Sequence, residues 1–206
     1  MPTLEDAIKL ALCAHRGQVD KAGQPYMLHP LRVMLSLETE EERMVGVLHD
    51  VVEDTRGKPC PEDRITVERL SELGYPDGVV QAVECVTKRP EEAGEEGYRR
   101  FIARIRREGS PLAVKVKLAD LADNLDVSRL EPPLRGGDLE RLNRYLDALR
   151  RLKEACIGYE RKNRMVSSAS AGYASDVDHA DRPSEDHEKT TRGEQHDDAD
   201  DRDPDD

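Results

Sequence analysis

Apolar residues recur every three or four positions along most of the first 160 residues, which is the spacing of amphipathic helices. The pattern predicts an opening helix over residues 3–17 with Thr3 as its N-cap. A helix over residues 39–52 is predicted to begin with a capping box formed by Thr39 and Glu42. Two further helices are predicted to begin at Pro30 and at Pro76. Four others are predicted over residues 66–73, 98–107, 112–125 and roughly 138–160.

Two stretches interrupt this helical pattern. Gly23 and Pro25 stand among polar residues, which predicts a loop or a small hairpin near residues 18–28. Residues 91–97 are rich in Glu and are predicted to form an exposed acidic loop. Trp is absent and Phe101 is the only Phe, so the core must consist of Leu, Val, Ile and Ala, which suits packed helices better than a β-sandwich. We therefore expect an all-α helical bundle.

The apolar pattern stops near Ser167, and small polar and charged residues follow up to Asp206. Residues 161–206 contain 14 acidic and 7 basic residues, and such a segment cannot bury enough apolar area to offset its ordering entropy. The sequence thus predicts a folded domain over residues 1–160 and a disordered acidic tail over residues 161–206. The tail is either a solubilising segment or an acidic interaction arm.

The charge of the chain limits its partners. The net charge is −12, and residues 1–160 alone hold 30 acidic and 25 basic residues, so the chain lacks the basic surface that DNA or RNA binding requires. We find neither a signal-peptide pattern nor an apolar run of about 20 residues, which argues against membrane insertion. Four widely spaced cysteines without a CxxC pair indicate free thiols and a cytoplasmic location. The sequence leaves the oligomeric state open.

The densest group of chemically useful side chains is HDVVEDT over residues 49–55. On a helix, His49 and Asp50 lie about 100° apart, which is close enough for both to reach one metal ion. Glu53 and Asp54 each follow one helical turn after a potential ligand. The alternative is a helix end whose acids face water, but acids at a helix C-terminus oppose the helix dipole. We favour a metal site.

Two further stretches contribute candidates. His29 lies directly before Pro30, at the start of a predicted helix, as a capping or ligand residue. Lys117, Asp120 and Asn124 share one helix face, suited either to a metal and a phosphate or to simple solvation with a Lys–Asp pair. His15, near the end of the first helix, is expected to be a solvated or dipole-complementing residue.

Together these stretches resemble the hydrolase domain of RelA/SpoT-type proteins, within the HD-domain metallohydrolases. The resemblance rests on GQPYMLHP at residues 23–30, HDVVEDT at 49–55 and KLADLADNL at 117–125. It extends over roughly residues 3–155 and leaves no room for a nucleotide-synthesising domain. The chain is thus similar to the small alarmone hydrolases, which include the metazoan SpoT homologue. The resemblance implies an HD-domain fold and removal of the 3′-diphosphate of ppGpp or pppGpp, giving GDP or GTP and pyrophosphate.

The resemblance also implies the roles of individual residues. The expected metal ligands are His29, His49, Asp50 and Asp120. This mixed set of nitrogen and oxygen donors suits Mn²⁺, Fe²⁺ or Zn²⁺. In the family that the chain resembles, the metal is usually manganese. A bound divalent ion lowers the pKa of its water and polarises the 3′-phosphate. Glu53 and Asp54 correspond to the catalytic acidic pair, which positions the attacking water and moves its proton. The sequence does not tell which of the two takes the proton.

The nucleotide is expected to meet several side chains of this chain. Lys21 matches a phosphate-contacting Lys, Asn124 matches a residue at the sugar, and Lys117 is a further substrate-binding candidate. Many relatives carry a basic residue where this chain has Asp20, which removes one positive charge from the pocket. Two alternatives remain open: hydrolysis of another phosphorylated nucleotide, such as an adenosine alarmone or NADPH, and a non-catalytic alarmone-binding module.

Overall fold

The structure, a computed structural model, describes residues 1–58, 60, 63–130 and 133–171, with side chains as far as Glu154 except that of Arg129. These residues form α1 (Leu4–Ala14), α2 (Leu28–Leu35), α3 (Glu40–Leu48), α4 (Val51–Thr55), α5 (Val67–Glu72), α6 (Asp77–Val86), α7 (Gly94–Glu108), α8 (Pro111–Asn124) and α9 (Gly136–Ala171). Short 3-10 helices lie at Pro90–Glu92 and Val127–Arg129. The predicted all-α fold is confirmed.

The predicted loop or hairpin near residues 18–28 is a tight loop. In the described part of the chain, its only β feature is a single antiparallel bridge between Val19 and Pro25. The backbone N–H of Asp20 donates to the Gln24 carbonyl at 2.8 Å, and Gly23 adopts a positive φ of 75° at the turn. Glycine suits this position because it carries no Cβ to clash there. The loop leads directly into α2.

Three of the predicted helix starts are confirmed by side-chain caps. Thr3 and Thr39 each form a capping box, with Asp6 and Glu42 respectively, and Thr66 accepts a hydrogen bond from the backbone of Arg69. Each cap satisfies backbone N–H groups that have no partner within the helix. The local sequence therefore determines where these helices begin.

Two apolar clusters hold the bundle together. The first buries Ala11, Val33, Val47 and other residues of α1, α2, α3 and α6. The second buries residues of α7, α8 and α9, which include Phe101, Ile105, Leu121 and Leu152. Because α8 supplies residues to both clusters, it joins them, and its C-terminal half carries part of the site described below. None of the described helices combines the length and apolarity needed to cross a bilayer.

Several boundaries differ from the sequence expectation. The first helix ends at Ala14 instead of residue 17, and the second begins at Leu28 instead of Pro30. The helix predicted over 39–52 is interrupted at His49 and Asp50, where Asp50 has φ −104° and ψ −7°. The predicted acidic loop over 91–97 is wrong, because it contains a 3-10 helix and the start of α7. The final helix continues past residue 160 to Ala171.

The chain divides into two compact units, Met1–Met165 and Val166–Asp206. Residues 172–206 of the predicted tail lie outside the described residues, so the disordered tail stays a prediction, as does the domain boundary at residue 160. Of the four cysteines, the three whose side chains are described carry free thiols: Cys13, Cys60 and Cys85.

Candidate functional site

A glycine on α3 brings the two candidate histidine ligands together. A Cβ at Gly46 would lie 2.6 Å from Leu37 Cδ1 and 3.2 Å from Met34 Cα, so a side chain would not fit there without movement. The missing side chain lets α3 approach the end of α2 closely. On these two closely packed segments, the rings of His29 on α2 and His49 after α3 lie 5.2 Å apart, centroid to centroid.

The orientation of His49 leaves a lone pair directed into the site. Its Nδ1 lies 2.7 Å from the carbonyl oxygen of Gly46, which can only accept, so Nδ1 carries the proton. In a continuous helix this carbonyl would be offered to the backbone N–H of Asp50, and the helix is broken at this point. The remaining nitrogen, Nε2, is buried without a hydrogen-bond partner among the described residues.

His29 is oriented in the same way by a carboxylate. Its Nδ1 donates to Asp123 Oδ2 at 2.7 Å, and Arg32 Nε donates to the other oxygen of Asp123 at 2.6 Å. Burial alone would lower the pKa of His29, but the hydrogen bonds to Asp120 and Asp123 outweigh it and raise the pKa. A carboxylate behind a ligating imidazole fixes the ring and increases its basicity. His29 Nε2 therefore also faces the site.

The two Nε2 atoms face two carboxylate oxygens. Asp120 Oδ1 lies 3.1 Å from His29 Nε2 and 3.6 Å from His49 Nε2. Asp50 Oδ2 lies 3.0 Å from His49 Nε2 and 3.8 Å from His29 Nε2. Nitrogen lone pairs and carboxylate oxygens at these distances repel each other unless a proton or a metal cation lies between them. The structure thus brings all four predicted ligands together, and three of them, His29, His49 and Asp50, are close enough to one another to hold a metal ion.

The charges in this cluster depend strongly on one another. Burial alone would raise the pKa of Asp120, but Lys117 and the two imidazoles hold it well below its usual range. His49 likewise lowers the pKa of Asp50 against the effect of burial. Both carboxylates are therefore ionised at neutral pH, and they form a hard oxygen donor pair beside two imidazoles, as borderline divalent metals prefer.

Lys117 and Asn124 hold Asp120 in place. Lys117 Nζ donates to Asp120 Oδ2 at 2.7 Å, and Asn124 Nδ2 donates to Asp120 Oδ1 at 2.6 Å. The Lys117 side chain is only 11% exposed and its ammonium group lies 5.0 Å from the Phe101 ring centroid. Both side chains line the cleft described below, but their described contacts position a candidate ligand. Their substrate contacts stay predictions.

The predicted acidic pair divides into two different environments. Both oxygens of Glu53 are occupied by Lys88, whose backbone N–H donates at 3.1 Å and whose Nζ donates at 2.6 Å. Arg56 Nη2 also donates to the Lys88 carbonyl at 2.9 Å, which fastens this segment to the end of α4. Glu53 is therefore neutralised by a cation.

Asp54 accepts a hydrogen bond from a neutral group instead. Gln18 Nε2 donates to Asp54 Oδ2 at 2.8 Å, and the side chain of Asp54 remains 25% exposed in the cleft. Burial and then the charge of Asp50 raise the pKa of Asp54. Behind it, His15 is buried, with Nδ1 3.0 Å from Gln18 Oε1. The expectation that His15 is solvated is wrong, because its ring packs against Tyr26 with 5.0 Å between centroids.

Tyr26 connects the loop to the candidate metal ligands. Its hydroxyl group donates a short hydrogen bond to Asp50 Oδ2, the same oxygen that faces both imidazoles. Burial, followed by the charge of Asp50, raises the pKa of Tyr26, so the hydroxyl stays a donor at neutral pH. Tyr26 thus orients a candidate ligand as well as packing the loop.

The candidate ligands His29, Asp50 and Asp120 line one cleft of about 450 Å³ together with Glu53 and Asp54. Lys21 lies at its edge, on the loop that Asp20 stabilises by accepting the backbone N–H groups of Ala22 and Gln24 at 2.9 Å each. Asp20 thus stabilises the conformation of the loop in addition to giving it a negative charge. The opposite side of the cleft carries aromatic and basic side chains that sequence reasoning did not assign: Tyr98, Phe101, Arg141 and Tyr145.

Sequence reasoning also missed the residues that hold the site together. Asp123 and Gln18 contact side chains that lie 94 and 36 residues away in the sequence, and His15 contacts Gln18, so no local pattern assigned them a role. Asp123 lies within the KLADLADNL stretch, three residues after Asp120 and so near the same helix face, which is the one local clue to its role.

The chain is similar in sequence to several known proteins. No protein-family model matches the chain. It is 33% identical over 121 residues to a guanosine-3′,5′-bis(diphosphate) 3′-pyrophosphohydrolase of Haemophilus influenzae, covering 56% of this chain and 17% of that protein. It is 34% identical over 125 residues to a GTP pyrophosphokinase of Myxococcus xanthus, covering 54% and 15%. It is 29% identical over 126 residues to the bifunctional (p)ppGpp synthase/hydrolase SpoT of Escherichia coli, covering 59% and 17%.

These matches confirm that the chain resembles SpoT/RelA-type proteins, as its motifs predict. The chain spans less than a fifth of the length of each of these relatives. The similarity therefore concerns one part of each relative.

Proposed function

We propose that this chain hydrolyses the 3′-diphosphate of ppGpp or pppGpp, with a divalent metal, to GDP or GTP and pyrophosphate. The observation that carries the proposal is the meeting of His29, His49, Asp50 and Asp120, three of which line the same cleft as Asp54. The names of the relatives from Haemophilus influenzae and Escherichia coli support the choice of substrate.

The four ligand positions fit a metal because two imidazole lone pairs and two ionised carboxylates converge there. We propose Mn²⁺ as the ion, since the resemblance implies manganese. When bound, such an ion lowers the pKa of water and offsets phosphate charge. Tyr26, Lys117 and Asn124 hold the two carboxylates in position for it. We assign Asp123 the same task for His29.

We assign the proton of the attacking water to Asp54. The water attacks the phosphorus bound to ribose O3′, the bond between that phosphorus and O3′ breaks, and O3′ takes up a proton as pyrophosphate leaves. Asp54 suits the role of general base, because Gln18 occupies only one of its oxygens and the side chain reaches the cleft. Glu53 suits it less, since Lys88 occupies both of its oxygens. Glu53 instead orders the wall of the cleft beside the water.

The substrate phosphates need cations that are not already paired. Lys88 and Lys117 are paired with Glu53 and Asp120, whereas no ion pair involves Lys21 within the described part of the chain. We therefore propose Lys21 as a contact for substrate phosphate. Its position on a loop that Asp20 stabilises allows the ammonium to reach the ligand without disturbing the metal ligands.

The test is turnover of ppGpp by the purified chain with Mn²⁺, measured as GDP and pyrophosphate. Asp54→Asn should abolish turnover while retaining metal and nucleotide binding, and Asp147→Asn on the exposed face of α9 should keep wild-type turnover. Absence of both products with the wild-type protein would refute the proposal. Nucleotide binding without turnover would instead indicate a binding module, and faster hydrolysis of an adenosine alarmone or NADPH would change the substrate.

A further inference from the structure

We propose that Gln18 and His15 are positioning residues for Asp54. In this arrangement the Gln18 amide orients the Asp54 carboxylate, and the buried His15 ring fixes the amide. The inference rests on the proposed function, in which Asp54 accepts the proton of the attacking water. It goes beyond that function, because neither Gln18 nor His15 touches the metal ligands or the reacting atoms.

The contacts fix the direction of each hydrogen bond. An ionised Asp54 can only accept, so Gln18 must present its amino group, which lies 2.8 Å from Asp54 Oδ2. The amide oxygen of Gln18 then faces His15 Nδ1 at 3.0 Å, and this nitrogen must carry a proton. A reversed amide would set two acceptors against each other at Asp54. The chain of contacts is therefore directional from His15 to Asp54.

This arrangement leaves Asp54 suited to accept a proton. Gln18 donates to Oδ2, which also lies 3.5 Å from His15 Nδ1, and no donor reaches the other oxygen of Asp54 from the residues that the structure describes. The neutral Gln18 amide holds the Asp54 carboxylate in place without cancelling its charge. The Lys88 ammonium, by contrast, cancels the charge of Glu53. The two neighbouring carboxylates thus receive different partners, one for orientation and one for neutralisation.

His15 is set firmly enough to serve as the fixed end. Its side chain is 0% exposed, and its ring packs against Tyr26. Its second nitrogen, Nε2, is buried and has no hydrogen-bond partner among the described residues. If residue 15 only filled space, an apolar side chain would suit it better than His15, because an unpaired buried nitrogen costs stability. The hydrogen bond to Gln18 explains why an imidazole occupies this site.

Gln18→Met tests the amide, because it keeps the length of the side chain and removes the donor. We expect kcat for ppGpp to fall about 10- to 100-fold, the loss that misplacing a catalytic group causes. KM and Mn²⁺ affinity should stay within about twofold of the wild-type values, because no metal ligand is touched. Gln81→Met, an exposed glutamine on α6, is the matched control and should keep wild-type kinetics. A wild-type kcat in Gln18→Met would overturn the proposal.

A pair of His15 variants separates positioning from packing. His15→Leu fills the space but cannot donate, and it should lose kcat as Gln18→Met does. His15→Asn places an amide nitrogen near the position of Nδ1 and should recover most of the lost kcat, although it fills the space less well. Equal kcat in the two variants, or a larger loss in His15→Asn, would assign His15 to packing and overturn its part in the proposal.

A measurement without turnover distinguishes this inference from the proposed function. The side-chain amide resonance of Gln18, followed by NMR in the full chain, should shift in His15→Leu and in Asp54→Asn but not in Gln81→Met. An unshifted resonance in either of the first two variants would refute the contact chain. A wild-type protein that cleaves no alarmone would refute the proposed function, and the resonances would then test the contacts alone.

Discussion

Gly46→Ala is the substitution that most directly tests how the fold assembles the site. The new Cβ would lie 2.6 Å from Leu37 Cδ1 and 3.2 and 3.4 Å from Met34 Cα and N. The Leu37 methyl can rotate away, but the Met34 backbone can yield only if the end of α2 moves. That movement would separate His29, which α2 carries, from His49.

The magnitude follows from two opposing contributions. Overpacking a tight contact costs about 1–3 kcal/mol. Replacing Gly by Ala inside a helix stabilises it by up to about 1 kcal/mol. Gly78→Ala on α6 supplies the control, because nothing lies within 4 Å of its Cβ position. The propensity gain is similar in both variants, so the difference between them, about 1–3 kcal/mol, isolates the cost of the contact.

Urea denaturation at equilibrium measures the free energy of unfolding of both variants, and titration with Mn²⁺ measures metal affinity. We expect Gly78→Ala to be as stable as the wild type or slightly more stable, with unchanged affinity. Gly46→Ala should be less stable than Gly78→Ala and should bind Mn²⁺ about 10- to 100-fold more weakly, the range seen when ligand orientation is disturbed. If both variants gain stability equally and Mn²⁺ affinity is unchanged, the close approach does not require glycine.

Three further predictions concern the buried ion pair and the metal. Arg104→Met should destabilise the fold by about 3–5 kcal/mol in urea denaturation, since it leaves Glu92 buried and unpaired, whereas Arg107→Met, 74% exposed, should change little. Burial alone would raise the pKa of Glu92, but Arg104 lowers it overall. The stability that this carboxylate contributes is therefore full above the ordinary glutamate pKa and is lost as the pH falls through its folded pKa. Glu92→Gln should remove this dependence from acid titrations of stability, and an unchanged acid profile would contradict it. Chelation of the metal should abolish ppGpp turnover and lower Tm, and added Mn²⁺ should restore both. A Tm that does not change on addition of Mn²⁺ would argue against the metal site.

The sequence predicted most helix positions because capping and apolar spacing are local properties. Thr3, Thr39 and Thr66 form their caps with residues three positions away, so a short window contains the whole signal. The break at His49 and Asp50 could not be predicted in this way. At the break, the ring N–H of His49 forms a hydrogen bond with the Gly46 carbonyl. This hydrogen bond depends on the orientation of the imidazole in the folded site.

Polar pairing between distant segments was likewise beyond the sequence pattern. Arg104 lies one helical turn after Arg100 in an arginine-rich helix, yet it is buried and donates to Glu92 at 2.7 and 2.8 Å. The pairing also requires Gly97, because a Cβ there would lie 2.3 Å from the Glu92 carbonyl carbon. Helix geometry indicated His49 and Asp50 as metal ligands, but the complete set of four came from the resemblance, since residues 29 and 120 lie far from this pair in the sequence. Their roles stay predictions, although the structure brings the side chains together.

The two apolar clusters have a consequence for how such a protein can diversify. Three candidate ligands, His29, His49 and Asp50, belong to helices and turns around the first cluster, whereas the far wall of the cleft, with Tyr98 and Tyr145, packs on the second. Substitutions in α7 and α9 can therefore reshape the cleft without moving these three ligands. Selection for a new nucleotide can act on one half of the bundle while the other half preserves the reaction.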